Sequence, residues 1–237
     1  VSVPAGQASP GTYSFQPAAS DLVLYAYSLC NIRPTELTTQ HLIDAAMAAN
    51  FAMVNLSNNL PMRFALETQT VNLTAGTAAY TLAARTIAVP IVTISVSSGG
   101  VTTERVLGPI SAYEYRAQPV KAQQAPPTSY WFNLAVPPVL TFWPTPDVSS
   151  TYTANVQSFR QLQDVDLTNA LGVDSPYRFL DALVTDMAAR LADSYQPAKS
   201  QDLYAKARDR LMLALGRDQE SVPMTISPGL GGYYRVL

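Results

Sequence analysis

The chain has 237 residues, 48% of them hydrophobic and 14% charged, enough apolar material for a sizeable core and too little charge for a swollen, disordered chain. Fifteen Lys plus Arg against 17 Asp plus Glu leave a net charge of −2 with no basic run to gather phosphates, so tight or sequence-specific DNA binding is not expected. No apolar stretch approaches the roughly 18–20 residues of a membrane span, no basic-then-apolar leader is expected, and the single Cys30, set among apolar helix residues, reads as a buried inert thiol.

Residues 1–18 hold Pro4, Gly6, Pro10, Gly11 and Pro17 and no charge, which predicts an irregular amino-terminal arm. Ser20 is a candidate cap for a first helix from Asp21 to Cys30, with Leu22, Val23, Tyr25, Ala26 and Leu29 on one side and Pro34 beyond it. A longer helix is expected from Thr38 or Thr39 to Asn59, because Leu42, Ala46, Ala49, Met53, Leu56 and Leu60 recur at alternating four and three residues until Pro61.

Between Arg63 and about Arg160 the pattern changes to short β-branched or alternating runs broken by Gly and Pro. They are Phe64 to Leu73, Ile87 to Val96, Thr102 to Leu107, Ser129 to Leu134, Val139 to Trp143 and Tyr152 to Phe159. Residues 61–160 carry ten charges, far below the usual quarter or so, and such a neutral surface suits packing against a copy of itself. Helical periodicity returns at Ser175, a candidate cap before Pro176, with Leu180, Leu183 or Val184, Met187 and Leu191 as the stripe and Pro197 as the stop. A last helix is expected from about Ser200 to Leu215, striped by Leu203, Ala207, Leu211 and Leu215 and stopped by Gly216, with Asp202 and Lys206 in favourable i,i+4 order. The segment from Arg217 to Leu237 is irregular and ends in Tyr233, Tyr234, Arg235, Val236 and Leu237, an aromatic close that fits docking either on the chain's own core or on a partner.

The fold class expected is therefore α+β: an antiparallel bundle of four main helices with an inserted β-rich domain and extended arms at both ends. The boundaries are 1–18 for the amino-terminal arm, 19–62 and 172–216 for the two helical parts, 63–171 for the β-rich domain and 217–237 for the carboxy-terminal arm.

Chemistry is sparse. The only histidine, His41, falls just inside the second helix, where it reads as a solvated helical residue rather than a base for a Ser or Cys nucleophile. One His and one Cys cannot make a zinc site, and no EF-hand, Walker or dinucleotide-binding sequence is present, so neither metal nor cofactor is expected. Asp164, Asp166, Glu67 and Glu104 are the carboxylates from which a glycan-hydrolysing pair might be drawn, although two acids flanking Val165 fit the solvated side of a connection better. Tyr130-Trp131-Phe132 and Phe142-Trp143-Pro144 either plug a β core or line a sugar-binding surface; strand alternation puts Tyr130 and Phe132 on one face and Trp131 on the other.

The order of elements, two helices, a β-rich insertion, two helices and an arm, resembles the head-to-tail adaptor proteins of short-tailed bacteriophages. So do local phrases: Leu73-Thr74-Ala75-Gly76 followed by Tyr80-Thr81-Leu82, then Pro127-Thr128-Ser129-Tyr130, then Leu140-Thr141-Phe142-Trp143-Pro144-Thr145-Pro146, then Tyr152 to Phe159. An aspartate-containing turn, Asp164 to Leu167, into the Ala-rich segment Ser175 to Tyr195 completes the likeness, which spans roughly residues 20–216. The chain departs from the family's pattern at Ala125 or Pro126, where Gly is common, and at Leu82-Ala83, where Leu-Pro is common.

The resemblance implies a structural virion protein at the head–tail junction, not an enzyme, with no cofactor and no membrane. It implies a ring of about a dozen copies beneath the portal protein, joined to neighbouring adaptor subunits and to a downstream tail or nozzle protein, through which DNA passes without specific binding. Assembly would take place in the host cytoplasm. By the same likeness the last helix and arm reach the portal, making Arg208, Arg210, Arg217, Tyr233, Tyr234 and Leu237 the candidate contacts, with a solvated helix face as the alternative for the arginines. An arm ordered only on docking costs roughly 1–2 kcal/mol per residue in backbone entropy, so the expectation is a monomer when free and a ring when docked. The competing readings are a virion-borne peptidoglycan hydrolase and a carbohydrate-binding β module.

Overall fold

A computed structural model describes residues 15–59, 62–169 and 171–218. It is a mixed α+β structure of five helices and two four-stranded sheets. The chain runs through α1 (Ala19–Leu29), α2 (Thr39–Asn58), β1 (Leu66–Leu73), β2 (Ala79–Thr81), β3 (Thr86–Ser98), β4 (Val101–Val106), β5 (Gly108–Pro109) and α3 (Ala112–Ala117). It continues through β6 (Ser129–Asn133), β7 (Val139–Trp143), β8 (Thr151–Arg160), α4 (Tyr177–Tyr195) and α5 (Pro197–Arg217).

Buried side chains form two clusters. The first joins α1, α2, α4 and α5, with α4 at its centre: Phe179, Leu180, Leu183, Val184, Met187 and Leu191 are all buried, and α1, α2 and α5 each pack against this helix. The second lies between the two sheets, ordered β1-β8-β3-β4 and β2-β7-β6-β5, where Val92, Ile94, Tyr130, Leu140, Phe142, Tyr152, Ala154 and Val156 meet. All strand pairs are antiparallel except β5 with β6. Gly99 and Gly100 join β3 to β4 with φ of 59° and 82°, the left-handed conformation that a two-residue hairpin requires at both positions. At one end of the sandwich Gln69 ties three elements: its amide donates to Thr86 Oγ1 (2.7 Å) and Ser158 Oγ (2.8 Å), and its oxygen accepts from Ala83 N (3.0 Å).

Several expectations are corrected. α1 begins at Ala19 with Ala18 as its cap, so Ser20 is not the cap, and the face it buries carries Tyr27 rather than Tyr25, whose ring is exposed. α2 lies where the spacing predicts and buries Ala49, Met53 and Leu56 as expected, but Ala45, Ala48 and Ala52 complete the inner face, Leu42 is half exposed, and Leu60 lies outside the described residues. α4 starts at Tyr177, and the Ser175 hydroxyl is buried without a partner among the described residues instead of capping it. Pro197 does more than end α4: with no N–H to lose, it occupies the first turn of α5, which runs through Gly216 to Arg217. Two short strands, β2 and β5, and the one-turn helix α3, closed by Ser111 and Glu114 bonding each other's backbone N–H, were not expected.

Candidate functional site

His41 is not a solvated residue. Its ring stacks on Tyr195 with centroids 4.4 Å apart, and its Nδ1 accepts from the Thr38 backbone N–H (3.2 Å) at the start of α2. Beside it the Tyr195 hydroxyl donates to Asp44, which holds that carboxyl below the usual range and pushes the phenol up to about 12. The histidine is thus used as a helix cap and a packing surface. Cys30 is buried with its thiol facing the Ala188 carbonyl oxygen (3.3 Å), and burial pushes its pKa up.

The candidate carboxylates are also occupied. Asp166 closes a turn by accepting from Thr168 N (2.8 Å), Thr168 Oγ1 (2.5 Å) and Asn169 Nδ2 (2.5 Å), bonds that hold it near 2. Asp164 is exposed. Glu67 pairs with Arg85 (3.0 Å) and Glu104 accepts from Ser95 (2.8 Å). They stand on the two edge strands of one sheet, three strand spacings or about 14 Å apart across it and offset by five residues along it, since Glu67 is level with Ser158 and Glu104, through Ser95, with Thr153; this is well beyond the roughly 5–9.5 Å that separates glycosidase carboxyls. Tyr130 and Phe142 fill the sandwich core, while Trp131 stacks on Tyr115 (5.3 Å) and Trp143 Nε1 donates to the Val120 carbonyl oxygen (3.3 Å). Among the described residues no group of His, Cys, Asp and Glu is arranged to hold a metal ion, and no helix is long and apolar enough to cross a membrane.

What the molecule offers instead is surface, and its most constructed part is the end of α5. Asp218, only 3% exposed at its side chain, accepts the Arg63 backbone N–H (2.7 Å) and pairs with the guanidinium of Arg178. Arg178 in turn lies over the rings of Phe179 (5.5 Å) and Phe64 (6.0 Å). This clasp joins the segment after α2, the start of α4 and the end of α5. Nothing in the residue pattern singled out Asp218; the only hint was an acid one residue beyond a helix that seemed to stop earlier.

The three candidate arginines on α5 have different surroundings. Arg210 is tied to α4, pairing with Asp181 (2.7 Å) and bonding Thr185 Oγ1. Arg208 is exposed and lines a groove between α2 and α5 whose base is Ala182, Leu183 and Asp186 of α4. Arg217 is exposed on the last turn, and neither it nor Arg208 makes an ion pair among the described residues. Tyr233, Tyr234 and Leu237 lie outside the described residues.

A second surface was missed by the sequence reading. On α2 the large side chains Ile43, Met47, Phe51 and Val54 stand 44–55% exposed on one arc of about 80°. This stripe borders a groove between α1 and α2 lined by Val23, Leu24, Leu42, Ala46, Val165 and Leu167. The signal was available as bulky residues at i, i+4, i+8 and i+11, displaced around the helix from the alanines.

A search of curated proteins returned no match. A family model described as SU10 adaptor protein matches residues 19–227, a span that takes in every helix and strand of both cores. The chain belongs to this family of phage head–tail adaptors and is accordingly a structural component of the virion's head–tail junction, associating with portal and tail components.

Proposed function

We propose that the chain assembles as a ring beneath the portal, joins capsid to tail and continues the channel through which DNA leaves the head. The observation that carries this reading is the family match across both cores, because it covers the whole described architecture rather than one shared motif. In this reading residues 19–62 and 172–216 form one four-helix bundle, residues 63–171 are a β-rich domain inserted into it, and residues 1–18 and 217–237 are arms that reach other subunits.

The charge distribution supports the assignment of roles. The neutral β-rich unit suits side-by-side burial, and the chain's near-zero net charge suits a channel wall over which DNA slides without counterion release holding it. The clasp at Asp218 gives the carboxy-terminal arm a fixed origin; Arg217 beside it, and Arg208 about 15 Å back along α5, make no ion pair among the described residues and are open to portal carboxylates. Tyr233, Tyr234 and Leu237 supply aromatic and apolar burial further along. Arg210 then orients α5 against α4 and contributes to the portal contact through that orientation.

The test mixes the purified chain with portal rings from the same genome and weighs the complex by native mass spectrometry. A saturable complex with a fixed number of copies, lost at least tenfold in affinity on deleting Gly229 to Leu237, supports the reading. A well-folded chain that adds no mass to the portal, or a truncated chain that binds as before, overturns it.

A further inference from the structure

The two sheets of the sandwich end differently. One is blunted at both edges: β2 has three residues, and β5 has two and ends in Pro109, whose nitrogen carries no hydrogen for a further strand. The other ends in β1, eight residues long, and β4, six residues long and exposed throughout. Neither of these edges has a proline, a lysine or a bulge to discourage a partner. Their charges are turned onto their own chain: Glu67 pairs with Arg85, Glu104 accepts from Ser95, and Arg105 donates to the Pro127 carbonyl oxygen. Among the described residues, the backbone from Glu67 to Leu73 bonds β8 alone and that from Val101 to Val106 bonds β3 alone, so the groups on their far sides are open. Resting on the ring reading above, we propose that β4 of each copy pairs antiparallel with β1 of the next, so that this sheet runs on from copy to copy.

Strand direction favours this junction. β1, β8, β3 and β4 alternate in direction, so β4 runs opposite to β1. The number of strands is even, and a second copy set beside the first in the same orientation therefore brings its β1 antiparallel against β4. A ring needs that relation, with every copy turned the same way and joined head to tail. Pairing β1 with β1, or β4 with β4, makes a twofold contact in which the second copy is inverted.

The side chains match as well. Arg105 lies opposite the buried Ile94, which places Val101, Thr103 and Arg105 on the core side of the sheet; Glu67, Gln69, Val71 and Leu73 are on that side of β1. Full overlap of β4 sets Val101 against Leu73, Thr103 against Val71 and Arg105 against Gln69 of the next copy, with that copy's Glu67 diagonal to Arg105. On the outer side Thr102 meets Asn72, Glu104 meets Thr70 and Val106 meets Thr68, so no like charges oppose. This register is two residues away from the level that β1 and β4 share within one copy, an offset that tilts the strands as closure of a twisted sheet requires.

The terminal segments are poorer occupants. Residues 1–14 and 219–237 contain no run free of Pro and Gly longer than five residues, shorter than either edge. An arm laid on one edge also leaves the other open, whereas one junction between copies covers both.

Hydrogen exchange of the wild-type chain, free and assembled on portal rings, reads the edges without a variant. Amides of β1 and β4 are expected to slow at least tenfold on assembly, and unchanged rates on both strands overturn the proposal. An Asn72→Cys, Thr102→Cys double variant identifies the occupant. Within one chain its two thiols are separated by three strand spacings, at least about 14 Å, and cannot join each other. Cys30 is buried, and the wild-type chain serves as its control. Joined on portal rings by mild oxidation, or by a bis-maleimide too short to span one chain, the double variant should run in denaturing gels as a ladder of dimers, trimers and longer multimers. Either single variant should stay monomeric. Rings that assemble without a ladder, dimers from a single variant, or a link to the portal each overturn the proposal. If the wild-type chain adds no mass to the portal, the ring reading has failed and the proposal falls with it, an outcome distinguishable from rings that form without a ladder.

Discussion

α2 and α5 flank the same central helix, α4, and both bury a face of small residues and leucines against the helical core, yet their outward surfaces differ in charge. The outer side of α5 carries Asp202, Lys206, Arg208, Asp209 and Arg217 beside the exposed Tyr204, Met212 and Leu213, whereas α2 from Ala45 to Asn58 carries no charge and exposes Met47, Phe51 and Val54, with Ile43 just before. Packing sets the inner faces, because each must fit α4; it leaves the outer faces free. The difference is therefore one of charge: the outer face of α5 mixes ions with apolar side chains, and that of α2 beyond Asp44 is neutral.

The comparison can be broken most severely at the end of α5. Asp218→Ala leaves the part-buried Arg178 guanidinium and the Arg63 N–H without their acceptor and should cost about 2 kcal/mol, measured by denaturant unfolding. A loss below about 1 kcal/mol would mean that the clasp is not what holds the end of α5. The two faces of α2 give a sharper pair. Ala49→Leu pushes three carbons into the fully buried face and should destabilise by about 1–3 kcal/mol, whereas Phe51→Ser on the outer face should stay within about 0.5 kcal/mol in the free chain. Equal losses from the two variants would show that Phe51 belongs to the core and not to the outer face.

The smallest effect lies at the joint between the strands and helices, where Arg160 at the end of β8 pairs with Asp174 before α4. The guanidinium's hydrogen bonds hold the Asp174 carboxyl below the usual carboxylate range, so the folded state prefers it ionised. Its contribution is complete above the unfolded value near 4 and is lost as the pH falls through the lower folded value. Melting temperatures of wild type and Asp174→Asn should therefore differ at pH 6 and draw together as the pH is taken below the unfolded value and through the lower folded one. A gap that stays constant across that range would assign the difference to the lost geometry of the pair and not to its charge.

Much of this architecture is readable in the residues themselves. Val139–Trp143 coincides with its predicted strand, and most other long elements lie within about three residues of the expected ends, because alternation and the helical period are strong over such lengths. The family likeness drawn from ordered local phrases is borne out by the match to residues 19–227. The phase of α2 was readable in its second half, where Ala49, Met53 and Leu56 face in as the spacing predicts, and not in its first, where Leu42 is exposed and the alanines Ala45 and Ala48 take the inner face. β2, β5 and α3 are too short for a period to register, and they exist because the sandwich supplies their partners. The clasp depends on residues 63, 178 and 218 meeting in space, which no local window contains. Of the portal candidates, Arg210 is bound to α4 while Arg208 and Arg217 point to open surface, a distinction set entirely by the tertiary arrangement of α4 and α5.

The clasp also defines a load path. A pull on the chain beyond Asp218 does not meet a free helix end that can unwind one turn at a time. It meets a carboxylate gripped at once by the Arg63 N–H and the Arg178 guanidinium, two anchors that belong to different parts of the chain. Both anchors are rooted in the helical core, one through Met62 and Phe64 before β1 and the other through Phe179 at the start of α4, so tension is shared between two elements of that one core. The end of α5 is thereby held by two bonds from separate stretches of chain instead of by the last turn of its own helix.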